Sequence, residues 1–367
     1  MSGFSVIGVI VVNKPVIYMD QTVNEGLRRN IRSANLQLML KAIKELQVGY
    51  IDVVVSDWEK SGLRSCNMAN YFFRGNIRPN MHELYKAYHL GFDKISIFCP
   101  HVSRKSNSKK LYPLLEAATR LNLDIFLHIE NAAQISAVDI DFYLKLLVKF
   151  NIKSFIYGDK EGRLDSFQVY EALNYMAKVI PCSLEFHGHN MYGMATSNAL
   201  AAIRAGVGRI ATAIGGVGER GHAAMEEVLL GSKHLLKKTV DIDASLASNC
   251  AHILACMGLK VPVNKAIIGT GIFTHESGLH VDGVVKDPSL YEAFSPEEVG
   301  LIRKLVIGKH SGSVSLRVKL QQMNIQATDE EIRALLPKIR KLAVLQKGNL
   351  GEEQIRKIYD TELARDQ

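Results

Sequence analysis

Short β-rich runs alternate with amphipathic helical stretches along the first two thirds of the chain, and no other feature constrains its fold as tightly. The strand candidates are 15–20, 51–56, 94–99, 124–129, 153–158, 183–187 and 208–213, with an eighth near 239–243. Between them lie helical patterns such as Ile31–Gln47, Met81–His89, Lys109–Leu121, Asp139–Phe150 and Ser166–Val179. Alternation at this spacing implies parallel strands joined by crossover helices. Eight such repeats in about 245 residues predict an α/β fold closed as a (β/α)8 TIM barrel, with an open doubly wound sheet as the alternative. Past the barrel the pattern turns helical: Leu246–Met257 is amphipathic, Pro262 marks a linker, and Asp329–Leu345 and Glu352–Leu363 read as charged helices. The expected division is therefore a barrel over 1–245 and a C-terminal helical linker subdomain over 246–367.

In a barrel of this kind, chemistry sits at the C-terminal ends of the strands. The apolar run Val179, Ile180, Leu184 and Phe186 leads into His187 and His189, and helix-prone sequence follows from Met194 to Arg204. Strand alternation puts the two histidines on one side, where two imidazoles can share a divalent cation. The next strand ends in the Gly-rich turn Gly215-Gly-Val-Gly-Glu-Arg220, which carries a third histidine, His222. The plain alternative is a set of polar residues on strand-to-helix loops.

Composition excludes several other classes. No apolar run approaches the roughly 18 residues that span a bilayer. Residues 4–12 are apolar without a basic lead or a small-residue cleavage site, so they are expected to form a leading strand. The five cysteines are odd in number and scattered, which points to reduced thiols and a cytoplasmic setting. A net charge of +8 is compatible with nucleic acid or with anionic small molecules. Its Lys and Arg are dispersed, with no nucleic-acid signature and no interleaved aromatics, which favours small anions.

His187-x-His-Asn190, followed by Gly193, Ala195, Asn198 and Gly206, then Gly216-x-Gly-Glu-Arg220, resembles the DRE-TIM metallolyases. Within them it is similar to the homocitrate synthase and 2-isopropylmalate synthase branch, over about Asp20 to Gly312. The resemblance implies one divalent metal ion (Mg, Mn or Zn) held by Glu25, His187, His189 and His222. It implies a Claisen-type condensation of acetyl-CoA with a 2-oxo acid, followed by thioester hydrolysis. Asp20-Gln-Thr-Val-Asn-Glu-Gly26 answers to the family's Asp-Thr-Thr-Leu-Arg-Asp/Glu-Gly, so Asn24 stands where the family has an arginine beside the metal carboxylate. Arg28 or Arg29 is the nearest source of a replacement charge.

Glu130 matches the family's active-site Glu, and His280 and Tyr291 match the residues that work with it on the acetyl methyl proton. Lys160 replaces a Thr that contacts the keto acid, and faces either the site or solvent. Gln21, Asp52 and His128 fall on the substrate side, while Glu219 and Arg220 are implied to orient the metal shell. Phe126 and His128 stand where homocitrate synthases place an Arg and a Ser for the far carboxylate of 2-oxoglutarate. The basic, hydroxyl-bearing stretch Ser103–Lys110 is a candidate for coenzyme A phosphates or a solvated charge run. Segments 267–283, 287–291, 296–300 and 306–312 look like the linker subdomain of alkylmalate synthases, which implies a homodimer with that subdomain over the partner's barrel. The long regulatory domain of 2-isopropylmalate synthases is not expected. Two other functions remain open: a retro-aldol lyase of the same barrel class, and a catalytically weak homologue serving as a binding protein.

Overall fold

The computed structural model describes residues 15–46, 48–63, 71–100, 104–276 and 292–363. Eight parallel strands close into one barrel in chain order. They are β1 (Ile17–Asp20), β2 (Ile51–Val54), β3 (Phe73–Ile77), β4 (Lys94–Cys99), β5 (Asp124–Ile129), β6 (Ser154–Asp159), β7 (Ser183–Gly188) and β8 (Arg209–Thr212). Closure comes from the β1–β8 register, which runs from Ile17 opposite Arg209 to Asp20 opposite Thr212.

The helices around the sheet are α1 (Thr22–Arg28), α2 (Ser33–Glu45), α3 (Val55–Lys60), α4 (Met81–His89) and α5 (Arg104–Arg120). They continue with α6 (Ala137–Lys149), α7 (Ser166–Val179), α8 (Ala195–Arg204), α9 (Met225–His234) and α10 (Leu246–Cys256). Local chemistry explains their starts. Asn80 accepts from the Glu83 amide at the head of α4, and Asp165 and Gln168 form a reciprocal capping box on α7. Leu36, Met39, Leu40 and Ile43 form the buried stripe of α2 at helical spacing. Among the described residues, no helix is long and apolar enough to cross a membrane.

The expected strand at 239–243 is not one, and β3 takes its place in the count. Strand β3 reads Phe-Arg-Gly-Asn-Ile and lacks the apolar run by which buried parallel strands are recognised. Its burial explains why: a β-carbon at Gly75 would meet Val55 at 2.9 Å and Phe92 at 3.0 Å, while Arg74 and Asn76, on the alternate face, are buried with polar heads. A barrel interior that carries ions hides its own strand signal.

A second compact unit comprises Asp243–Ala247 and the described residues from Pro262 onward, while α10 from Ser248 groups with the barrel. This unit holds α11 (Ser313–Gln322), α12 (Asp329–Leu345) and α13 (Glu352–Leu363) around Ile307, Leu316, Leu320, Ile332, Leu335, Ile339 and Ile355. Thr328 and Glu331 close a capping box at the start of α12. The leading-strand expectation at 4–12 and most of the 103–110 side chains lie outside the described residues.

At the end of β1, Asp20 is fully buried; one carboxylate oxygen accepts from the Val23 amide and the other has no partner. Burial, with a smaller push from Asp52, raises its pKa to about 6 against the pull of bonds from Thr22 and Val23. Between its unfolded value near 3.9 and about 6, the folded chain binds the proton more tightly, so stability falls as pH rises through that window. Asp20→Asn keeps the acceptor and removes the buried charge. It is expected to raise stability at pH 8 by about 1–2 kcal/mol and to flatten the slope between pH 4 and 6. Urea midpoints at pH 5 and pH 8 check this, and an unchanged pH slope would count against it.

Candidate active site

The C-terminal ends of the strands open onto a cavity of about 430 Å³. Gln21, Asn24, Glu25 and Arg28 reach it from the β1–α1 junction, and Glu130, Lys160, His187, His189 and His222 reach it from the far strands. The chain leaves β7 through Gly188 into His189, which forms an isolated bridge with His222. The loop after β8 turns through left-handed glycines so that His222 can fold back. A side chain on Gly218 would place its β-carbon 2.7 Å from the His222 ring, and one on Gly221 would meet Asn190 at 2.8 Å.

The three imidazoles converge, with ring centroids 5.2 Å apart for His187–His189, 5.4 Å for His187–His222 and 4.7 Å for His189–His222. One ligand nitrogen from each lies within 4.8 Å of the others. Glu25 Oε1 is 3.8 Å from His222 Nε2 and 3.0 Å from Arg28 Nη1. Among the described residues, His187 Nε2 and His222 Nδ1 are buried without hydrogen-bond partners. His189 Nδ1 lies 3.0 Å from the Gly221 carbonyl, to which it donates, leaving Nε2 with the lone pair.

Burial, reinforced by the neighbouring imidazoles, pushes His187 well below the usual histidine range and His189 down to about 4. Glu25 is lowered as well: burial opposes its charge, but the neighbouring His222 imidazole and the charge of Arg28 hold its pKa below the usual value. Neutral imidazoles and an ionised carboxylate are the protonation states a divalent cation binds. Orphaned buried nitrogens are what an isolated polar cluster avoids and what a metal satisfies. The residues therefore fit the group.

Across the cavity, Lys160 Nζ pairs with Glu130 Oε1 at 2.9 Å, while Glu130 Oε2 is buried without a partner among the described residues. Lys160 thus faces the cavity, the first of its two expected orientations. Asn24 also borders the cavity, and its carboxamide oxygen accepts from the Val54 amide at 3.0 Å and ties α1 to the end of β2. Of the two arginines expected to lend a charge, Arg28 pairs with Glu25 and lines the cavity.

Several expected roles change. Asp52 does not line the cavity; it is buried against Arg74, with Nε–Oδ1 at 2.6 Å and Nη2–Oδ2 at 2.7 Å, and also accepts from Gln21 Nε2. His128 is buried against Phe98 and His187 and does not line the cavity either. Arg220 pairs with Glu161 at 2.9 Å and donates to the Lys160 carbonyl, with no side-chain bond to the imidazoles. It steadies them through its backbone, whose carbonyl accepts from Asn190 N. Glu219 lines the cavity but stays exposed. His280 and Tyr291 lie outside the described residues.

The residue that sequence reasoning missed is Arg74. Its guanidinium bridges Asp52 and Glu185, with two bonds to each at 2.6–2.8 Å, and lies 4.8 Å from the Phe126 ring centroid. Burial works against its charge, but the two carboxylates more than offset this and push its pKa up. Glu185 had one legible signal, its two-residue spacing from His187; Arg74 had none.

Residues 27–250 match the HMGL-like family, and residues 267–347 match the family described as Homocitrate synthase post-HMGL domain-like. The 2-isopropylmalate synthase 2 of Caldanaerobacter subterraneus subsp. tengcongensis is 32% identical, covering 95% of this chain and 96% of that protein. Homocitrate synthase 1 of Nostoc sp. is 37% identical over 60% of each. The hydroxymethylglutaryl-CoA lyase structure from Pseudomonas aeruginosa superposes with a TM-score of 0.57 at 18% identity, over 71% of this chain and 99% of that one. That likeness bears on the barrel alone. The relatives are synthase-type acyltransferases by name, and the chain belongs with them to the HMGL-like family of DRE-TIM metallolyases, in the branch that carries the post-HMGL domain of homocitrate synthases.

Proposed function

We propose that the chain condenses acetyl-CoA with a 2-oxo acid, using a divalent cation held by Glu25, His187, His189 and His222. The observation that carries this reading is the convergence of those four groups with the Glu130–Lys160 pair on one cavity. When bound, the cation would take the carboxylate and carbonyl oxygens of the keto acid and act as a Lewis acid on the ketone.

Glu130 Oε2, an acceptor without a partner, takes a proton from the acetyl methyl group. The Lys160 side chain, paired with Glu130 Oε1, sets a positive charge beside the anion that develops. Asn24 positions α1 by holding the Val54 amide, which leaves Arg28 to provide the guanidinium at Glu25. His280 and Tyr291 are assigned to assist the proton transfer. The new carbon–carbon bond joins the acetyl carbon to the ketone carbon, and the ketone oxygen gains a proton. Water then cleaves the carbon–sulfur bond, releasing a 2-hydroxy acid with one additional carboxylate and the free thiol of coenzyme A. The family resemblance supports a homodimer with the C-terminal subdomain over the partner's barrel.

A free-thiol assay tests the chemistry. Metal-supplemented protein with acetyl-CoA is expected to release coenzyme A with one member of a panel of 2-oxo acids that includes 2-oxoglutarate and 2-oxoisovalerate. Silence across the panel, with metal binding intact by calorimetry, would overturn the reading.

A further inference from the structure

A second cavity, of about 420 Å³, abuts the catalytic one, and Arg28 and Asp57 line both. Its wall carries three cations, Arg28, Arg32 and Lys60, against a single carboxylate, Asp57. Lys60 Nζ pairs with Asp57 at 3.1 Å, and Arg28 pairs with Glu25, which belongs to the other cavity. Arg32 has no acidic partner among the described residues, so the cavity keeps a net positive charge. Asn30, in the left-handed region at φ 51, turns the chain between α1 and α2 and brings Arg28 and Arg32 to one wall. Asn30, Ser33 and Ser61 add polar groups to the lining, and Leu27 and Ile31 add an apolar side.

We infer that this cavity is a phosphate-binding site serving the acyl donor, whose thioester end enters the catalytic cavity while its phosphates stay beside the mouth. Guanidinium and ammonium groups make charge-assisted bonds to phosphate oxygens, and three of them on one concave wall suit a multiply charged anion. The shared wall at Arg28 places the two ends of one ligand in adjoining spaces. A free phosphorylated ligand would present the same chemistry. The identity of the donor rests on the synthase reading above; the phosphate chemistry does not.

The test is calorimetric titration of the full chain with adenosine 3′,5′-bisphosphate, repeated with inorganic phosphate and in Arg32→Ala, Lys60→Ala and the double variant. Binding is expected, weakened about tenfold in the double variant and by added salt. Displacement of the bisphosphate by acetyl-CoA assigns the site to the donor, and KM for acetyl-CoA should then rise about tenfold in the double variant with kcat unchanged. Phosphate that binds through Arg32 and Lys60 but is not displaced by acetyl-CoA assigns the site to a free phosphorylated ligand. No binding, or binding indifferent to both substitutions while circular dichroism shows the fold intact, overturns the inference. Because titration needs no turnover, a failed thiol assay and a failed phosphate site are separate results.

Discussion

Arg74→Ala is expected to destabilise the barrel by about 3–5 kcal/mol, the range for breaking a buried ion pair from one side. Arg74 is 1% exposed and forms four hydrogen bonds to carboxylates on two other strands, Asp52 on β2 and Glu185 on β7. Its removal leaves both acids buried without a cation and empties the space against Phe126. Since a domain holds only about 5–15 kcal/mol in total, the variant should be marginal. The cost lies in the uncompensated charge more than in the lost bonds. The triple variant Arg74→Met, Asp52→Asn, Glu185→Gln should therefore recover much of the stability. Urea unfolding of the three proteins decides the matter: if the triple variant is as weak as the single one, packing and not charge is what Arg74 provides. A functional consequence follows through Gln21, whose amide nitrogen is held by Asp52 so that its oxygen is left for the cavity.

His187→Ala should abolish coenzyme A release while leaving the chain folded. His187 is one of two buried members of the triad, and its Nε2 has no partner among the described residues, so deleting it costs no hydrogen bond seen there. Its loss removes one of the four groups assigned to the cation. Lewis-acid stabilisation is worth several kcal/mol, so the rate should fall by about 10³-fold or more. Two measurements accompany the assay. Added divalent metal should raise the Tm of the wild-type protein and should not raise that of the variant, because a ligand stabilises only the state it binds. Retained activity together with an unaltered metal-dependent Tm shift would remove His187 from the site.

The site was legible wherever its chemistry is written locally. His187 and His189 share a face because strands alternate, and His222 was found through the glycines that surround it. Glu25 and Glu130 were marked by the family motifs they match, and both line the cavity. Asp52 was misjudged because a carboxylate at a strand end is equally able to face substrate or another ion, and only the partner decides. Asp52 found Arg74, and Arg220 found Glu161. Arg28 and Arg32 illustrate the converse, since only the tertiary structure brings them to one cavity wall, which no local pattern marks.

What the amino-acid order determined by itself was the alternation of strands and helices, the closed parallel barrel it implies, and the metal-ligating residue types at the strand ends. These depend on periodicity and on near neighbours, both of which are present in one dimension. What only the tertiary structure decided was β3, the Arg74 network through the barrel interior, and the pairing of Lys160 with Glu130. Arg74 and Glu185 are 111 residues apart in sequence, yet they meet because barrel closure brings the interior faces of β3 and β7 together. A buried charge is tolerated only beside its partner, and the partner is chosen by closure, which no local stretch of sequence encodes.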